Sequence, residues 1–184
     1  LAGGVDGYTS STRSVAWGTR AVAGKGYDLF RNPDVVDVNI ILGGETAATG
    51  NTYLTGLVGQ GSTERNDAMV FLSPGYAAAV TTKTNAAVIT DKNISSNYVV
   101  FDGAWKYQYD RYRDIFIHLP MNGDTGGLVA RTEFTNDAWW SPAGMTRGQI
   151  KNLVKLSWEP TRADRDTLYK GSVNPLINIT GAGS

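Results

Sequence analysis

Cysteine is missing from the sequence, and histidine occurs once. Disulfides, thiolate zinc sites, thiol nucleophiles and iron–sulfur clusters are therefore excluded from this chain, and a His-rich metal site with them. An excess of either charge is missing too: Lys+Arg and Asp+Glu are 17 each, giving a formal net charge of zero and a pI near 6.8. Such a chain has no field that would hold a polyanion or an acidic membrane surface over its whole body, so nucleic acid is not an expected partner. Long hydrophobic runs are lacking: Ala68 to Leu72 is a run of five, far short of the ~20 apolar residues of a membrane span. Membrane insertion is not expected. Leu1-Ala2-Gly3-Gly4 carries no methionine and no basic-then-apolar leader. With the ragged end Gly181-Ala182-Gly183-Ser184, that start suggests a piece of a longer polypeptide. The sequons Asn93-Ile94-Ser95 and Asn178-Ile179-Thr180 read as chance, because nothing else marks a secreted glycoprotein.

What is present is enough for a core. Hydrophobic residues make up 41% and charged residues 18%, with a mean hydropathy of −0.23, which is not the composition of a disordered chain. The 184 residues, against roughly 150 per domain, suggest a single domain over 1–184. Glycine is 22 of those residues, well above the usual ~7%, so many turns and close backbone approaches are expected.

Along the chain, strands and helices alternate. Val22, Leu29 and Phe30 hint at a short helix that Asn32-Pro33 stops. Val36, Val38, Ile40 and Leu42 alternate with Asp37 and Asn39 as a strand that Gly43-Gly44 ends. Asn51 or Thr52 can cap a helix with Tyr53, Leu54, Leu57 and Val58 on its apolar face. Ala68 to Leu72 is continuously apolar and halted by Ser73-Pro74, the signature of a strand buried on both faces in a parallel sheet. Tyr76 to Val88 reads as a helix that Thr81, Thr82 and Thr84 resist. Tyr98–Phe101, Ile115–Leu119, Leu153–Trp158 and Leu176–Ile179 read as strands. Asp124 is a candidate cap for a helix through Leu128 and Ala130, and Thr161 with Asp164 has capping-box spacing for a helix through Leu168 that Gly171 ends. The alternation is that of an α/β layered sandwich with a mainly parallel central sheet.

Motifs for catalysis are weak. Gly44, Gly50, Asn51 and Thr52 stand where a phosphate loop would be, but the glycine spacing is one too long and Asn51 replaces the lysine. Gly59 and Gly61 begin a dinucleotide fingerprint in which Glu64 occupies the third glycine position. His118 is the sole candidate base for a Ser-His-Asp triad. No Gly-x-Ser-x-Gly elbow accompanies it, and Ser73 has Phe71 where the first glycine belongs. Asp164 and Asp166 lie two apart on a helix and diverge. No catalytic, cofactor-binding or metal-binding residue is assigned, and no cofactor is expected.

The stretch from Trp105 to Asp114 is more unusual. Trp105, Tyr107 and Tyr109 share one face of an extended strand, with Lys106 and Gln108 on the other. Asp110-Arg111-Tyr112-Arg113-Asp114 then interleaves charges with an aromatic. Aromatics mixed with arginine can stack bases or sugars, yet each arginine has a carboxylate beside it. The better reading is a hairpin with cross-strand aromatic and ion pairs at a subunit contact. Two rivals stay open: a carbohydrate-binding module using Trp105, Trp139 and Trp140, and a serine hydrolase using His118. Against the first, Trp139-Trp140 leads into Ser141-Pro142-Ala143-Gly144, a strand end and turn inside the α/β body.

Several phrases in the second half resemble a known family. Asn93-Ile94-Ser95-Ser96-Asn97-Tyr98, Asp102-Gly103, Lys106-Tyr107-Gln108-Tyr109-Asp110 and Tyr112 are similar to the tail sheath proteins of contractile-tailed, T-even-like bacteriophages. So are Ala130-Arg131-Thr132, Ser141-Pro142-Ala143-Gly144, Arg147-Gly148-Gln149-Ile150, Lys155-Leu156, Arg165-Asp166, Leu168-Tyr169 and Asn174-Pro175. The resemblance is close from Asp91 to Pro175 and looser before it, through Val35–Leu42 and Ala68–Pro74. It implies a subtilisin-like sheath core domain lacking a catalytic triad, in a structural virion subunit rather than an enzyme. Its implied partners are other sheath subunits, stacked in six-membered rings around the tail tube, and, through regions mostly outside this chain, the tube protein and baseplate. Such a sheath is assembled in the host cytoplasm and contracts to drive the tube through the host envelope for genome delivery. The family's N-terminal segments and its C-terminal tube-facing region and arm are expected to lie outside Leu1 to Ser184.

The missing nucleophile motif yields a first prediction. A fluorophosphonate serine probe should leave the chain unlabelled, and His118→Ala should change stability at most. Stoichiometric labelling that disappears in His118→Ala would restore the hydrolase reading.

Overall fold

Five consecutive apolar side chains need cover on both faces of a strand, which only an inner position in a sheet provides. The structure, a computed structural model that describes residues 29–46, 57, 65–92 and 95–179, supplies that position. Strand β2 (Met69–Pro74) runs between β1 (Ile40–Thr46) and β3 (Val99–Phe101), parallel to both. Val70, Phe71, Leu72 and Ser73 are all buried. The strand also continues through Ser73-Pro74, expected to halt it: Pro74 lies opposite Thr46 at the strand's last position, where a missing N–H is tolerated.

β1 departs from the expected Val36–Leu42 at both ends. It starts at Ile40 because the carbonyls upstream are taken by a side chain instead of a strand. Arg65, fully buried, donates from Nη1 to the carbonyls of Phe30 (2.7 Å) and Val36 (2.8 Å) and from Nη2 to that of Val38 (3.4 Å). Its Nε and Nη2 also grip the Asp67 carboxylate, at 2.9 and 2.7 Å. That hydrogen bonding holds the Asp67 carboxyl below its ordinary range. At the other end, Gly43-Gly44 bends the strand without ending it. Leu42 faces Phe71 and Gly44 faces Leu72, so Gly43 is the extra residue of a bulge, and Gly44 takes a φ of 74° that favours glycine.

The crossover from β2 to β3 holds two helical pieces in place of the expected single helix. A π-helical turn (Ala77–Thr82) buries Ala78 and Ala79 and closes when the Lys83 N–H bonds the Ala78 carbonyl; Lys83 is left-handed, with a φ of 55°. The Thr84 hydroxyl then accepts the Ala87 N–H at 3.3 Å, starting α1 (Asn85–Lys92). The threonines that resist a continuous helix thus mark its break.

A second, antiparallel sheet of three strands follows. β4 (Trp105–Asp110) and β5 (Ile115–Pro120) form a hairpin around residues 111–114, with Asp114 left-handed at a φ of 54°. β6 (Lys155–Leu156) pairs with the other edge of β4, so only two residues of the expected Leu153–Trp158 strand enter the ladder. The expected mainly parallel central sheet is therefore corrected to two three-stranded sheets, one parallel and one antiparallel, within the α/β class. The expected strand Leu176–Ile179 is absent as well. Asn174 forms a parallel bridge with Asp102, and Pro175 has no N–H with which to extend it.

Helix α2 (Asn122–Thr135) packs on β1 and β2. It approaches so closely at Gly126 that a Cβ there would lie 2.6 Å from a Leu42 methyl. α3 (Arg162–Lys170) opens with the expected capping box between Thr161 and Asp164 and ends before Gly171. Val70, Leu72, Phe101, Val88, Leu168 and Leu57 meet in one core. The expected helix around Asn51 and Thr52 and most of that near Val22 lie outside the described residues; Leu29 and Phe30 form a single 3₁₀ turn.

Arg65 gives the fold's own test. Lysine keeps the charge but not the planar fork that serves one carboxylate and three carbonyls at once. Arg65→Lys should lower the unfolding free energy by about 2 kcal/mol in urea denaturation. An unchanged midpoint would show that the guanidinium does not hold the approach to β1.

Candidate functional site

The C-terminal ends of parallel strands are where α/β proteins place ligand sites. At that end lies a buried polar junction. Ser73 on β2 donates through Oγ to Asp102 Oδ2 (2.7 Å), just beyond β3, and accepts the backbone N–H of Asn122 (2.8 Å) at the start of α2. Asn122 Oδ1 stands 3.5 Å from the same hydroxyl, and Asp102 Oδ1 accepts the Ala104 N–H at 3.4 Å. All three side chains are buried. Burial pushes the Asp102 carboxyl up to about 8 against the pull of the Ser73 hydrogen bond, with Asp124 adding a smaller push. Asp124 sits in the first turn of α2, where its carboxylate meets the Lys106 ammonium at 2.8 Å. Its role is thus an ion pair, not the expected helix cap; Met121 occupies the cap position. Beside the junction, Trp105 Nε1 donates to the Pro74 carbonyl at 2.8 Å, joining the two sheets.

This junction has a serine and a carboxylate but lacks an adjoining base. His118, on β5, makes no hydrogen bond to Ser73; its ring packs 4.7 Å from Tyr107 and 6.0 Å from Tyr76. Burial and then the nearby Lys83 and Lys155 lower its pKa, and its ring sits in an aromatic cluster. Among the described residues, no cluster of His, Asp and Glu has metal-binding geometry. Gly44, the start of the imperfect phosphate loop, belongs to the β1 bulge; Gly50, Asn51, Thr52, Gly59, Gly61 and Glu64 lie outside the described residues. Asp164 is spent in its capping box and Asp166 is exposed on α3. In the sequence Ser73 stands out only through an incomplete nucleophile elbow, and Asn122 carries no motif at all. The available signal was a polar residue ending each of two apolar strands, Ser73 after Leu72 and Asp102 after Phe101.

The carbohydrate reading needs three tryptophans on one platform. Trp105 is fully buried, whereas Trp139 and Trp140 pack together, ring centroids 5.4 Å apart, on an exposed segment after α2. That segment is outside the α/β body, not inside it as expected. The hairpin and its aromatic face are as the sequence suggests: the face runs from Trp105 at 0% exposure to Tyr109 at 43%, and Tyr112 at the turn is 93% exposed. Tyr107 and Phe116 stack across the strands at 5.2 Å.

Comparison with known proteins decides the family. Residues 35–183 match the family model described as the phage tail sheath protein central domain. The chain belongs to the phage tail sheath family. It is 37% identical to the tail sheath protein of Enterobacteria phage T4 over 175 residues, covering 85% of this chain and 26% of that protein. It is 34% identical to the tail sheath protein of Vibrio phage KVP40 over 183 residues, covering 86% of this chain and 27% of that protein. The tail sheath protein of Salmonella phage ViI is 30% identical over 130 residues, covering 66% of this chain and 20% of that protein. This sheath-family chain thus spans about a quarter of the length of the first two relatives.

The polar junction predicts a pH dependence whose sign follows from Asp102. The unfolded carboxyl ionises near its ordinary value, while the folded one keeps its proton up to about 8. Folding must therefore recover a proton between those limits, and the contribution of this group to stability falls as pH rises from about 4 to 8, then levels. Asp102→Asn fixes the neutral form, so its melting temperature should fall less than the parent's between pH 5 and 8. Parallel profiles for both proteins would mean that Asp102 ionises freely in the folded state.

Proposed function

We propose that this chain is the central part of a contractile tail sheath subunit, a structural protein of the virion with no catalytic step of its own. The observation that carries this reading is the match of residues 35–183 to the sheath central domain. The closed junction around Ser73 supports it, since a buried hydroxyl without an adjoining imidazole is built to hold strands together. In this role the subunits assemble in the host cytoplasm as six-membered rings around the tail tube, and shorten on a baseplate signal to drive the tube through the host envelope. The subtilisin-like core suggested by the resemblance is part of the same proposal: a parallel sheet with helical crossovers is compatible with it.

Such a machine needs no cofactor. Its work is the free-energy difference between two sets of subunit contacts, so each subunit moves nearly as a rigid body while its interfaces exchange. A neutral surface with interspersed charges suits exchange, because exposed ion pairs are individually worth ~0–1 kcal/mol and re-form in a new register.

Negative-stain microscopy of the full-length protein tests the proposal: tubes or sheath-like helices are expected. The 184-residue chain alone should stay monomeric near 19.8 kDa in light scattering, because without the tethering arms implied for the family each weak contact loses the effective concentration that linkage provides. A full-length protein that stays dispersed would sink the polymer reading. Stable rings from the chain alone would move the polymerising contacts into this domain.

A further inference from the structure

The face of the second sheet that carries Tyr107 gathers positive charge with nothing beside it to neutralise that charge. The ladders set His118 on β5, Tyr107 on β4 and Lys155 on β6 abreast, since Tyr107 is the register partner of both the others. Directly opposed residues share a face, and here their side chains meet. The Lys155 ammonium lies 5.1 Å from the centroid of the Tyr107 ring, and the His118 ring lies 4.7 Å from the same ring. The π-helical turn closes a third side. Tyr76, just before it, sets its ring edge-on to His118 at 6.0 Å, and Lys83, just after it, is close enough for its charge to act on the imidazole. Lys83 and Lys155 are exposed and His118 is half-buried, so the place is open to a solute.

No acid answers these groups. From Tyr76 to Thr84, and along β5 and β6, the sequence has no Asp or Glu. β4 has one, Asp110, three positions from Tyr107 and so on the opposite face. Asp114, in the turn, accepts the Tyr109 hydroxyl, and the charges that act on His118 are those of Lys83 and Lys155 alone. Among the described residues no hydrogen bond or ion pair involves the side chain of Lys83, Lys155 or His118. Other lysines are treated differently: Lys92 reaches the Gly171 carbonyl and Lys106 the Asp124 carboxylate. Two like charges beside an imidazole disfavour its protonation, and an anion seated among all three relieves that repulsion.

We propose that this face binds a phosphate group, free or as a monoester, with Lys83, Lys155 and His118 donating to its oxygens and the rings of Tyr76 and Tyr107 as walls. The proposal does not depend on the polymer reading. Two ammonium ions match a charge of about −2, which a phosphate carries near neutral pH and a single carboxylate does not. Its oxygens also serve donors arriving from several directions, as these do from three separate elements. Binding and protonation are linked: the anion favours the imidazolium, so it draws a proton onto His118 as it binds.

His118 is the one histidine in the sequence, so the imidazole C–H signals in proton NMR of this chain report the site directly. Inorganic phosphate, added at constant ionic strength, should raise the pH midpoint of those signals by about one unit and half-saturate below about 1 mM. Acetate at the same ionic strength should move the midpoint far less. Lys83→Gln and Lys155→Gln, both at exposed positions, should each raise the midpoint in the absence of phosphate and weaken phosphate binding about tenfold. Lys170→Gln, on α3, should do neither. Phenyl phosphate binding more tightly than inorganic phosphate assigns the site to a monoester flanked by the tyrosine rings, and equal or weaker binding assigns it to the free ion. A midpoint that ignores phosphate, follows acetate equally, or still responds when both lysines are glutamine overturns the proposal.

Discussion

β2 is apolar on both faces from Val70 to Leu72 and must be covered on both, and most of the architecture follows from that requirement. β1 and β3 satisfy its backbone, while the core around Val88, Leu168 and Phe101 and the helix α2 at Gly126 supply its cover. The strand does not end in solvent. Its last residue but one is a buried serine, and a buried hydroxyl without partners costs roughly 1–3 kcal/mol. Ser73 meets that need by drawing in Asp102 and the first N–H of α2. The polar end of the most apolar strand is therefore the place where sheet, helix and the second sheet are fixed to one another.

Features set by near neighbours were legible in the sequence, and features set at a distance were not. The Thr161–Asp164 capping box, the burial of Val70 to Leu72 (though not of Met69, which is exposed) and the reversal at Arg111–Asp114 each depend on residues within a few positions. The start of β1 depends on Arg65, 29 residues beyond Val36, and no local pattern shows that a guanidinium will claim those carbonyls. The bulge at Gly43 likewise needs the partner strand, since two glycines end a strand as readily as they bend one. The same holds for the candidate site. Ser73, Asp102 and Asn122 are 29 and 20 residues apart in turn, so their meeting is a product of topology. Trp105 and Trp139 belong to one residue type with opposite fates, because burial is assigned by where β4 and the end of α2 lie.

The choice of a polar junction over an apolar one bears on the proposed role. Apolar side chains of suitable volume pack in several arrangements at little cost, whereas a hydrogen-bonded cluster in a dry interior tolerates few. Ser73, Asp102 and Asn122, with the indole of Trp105 on the Pro74 carbonyl, tie the two sheets and α2 at a single orientation. A subunit that must transmit force between two lattices needs such definition inside and the opposite outside. If the body deformed easily, the free energy released by new contacts would be absorbed within each copy instead of appearing as displacement between copies.

That division is written into the disposition of charge. Inside, Arg65 is committed to five hydrogen bonds and Lys106 to the Asp124 carboxylate. Exposed ion pairs on the surface, by contrast, are individually weak and cost little to make or to break. Aromatic rings on that surface add non-directional contact that survives a change of register, which a bidentate ion pair does not. In the proposed polymer, such a surface would bind weakly per contact and gain its strength from repetition along a lattice. A sheath that must hold one lattice and then exchange it for another works only if its individual contacts are weak enough to break and numerous enough to hold.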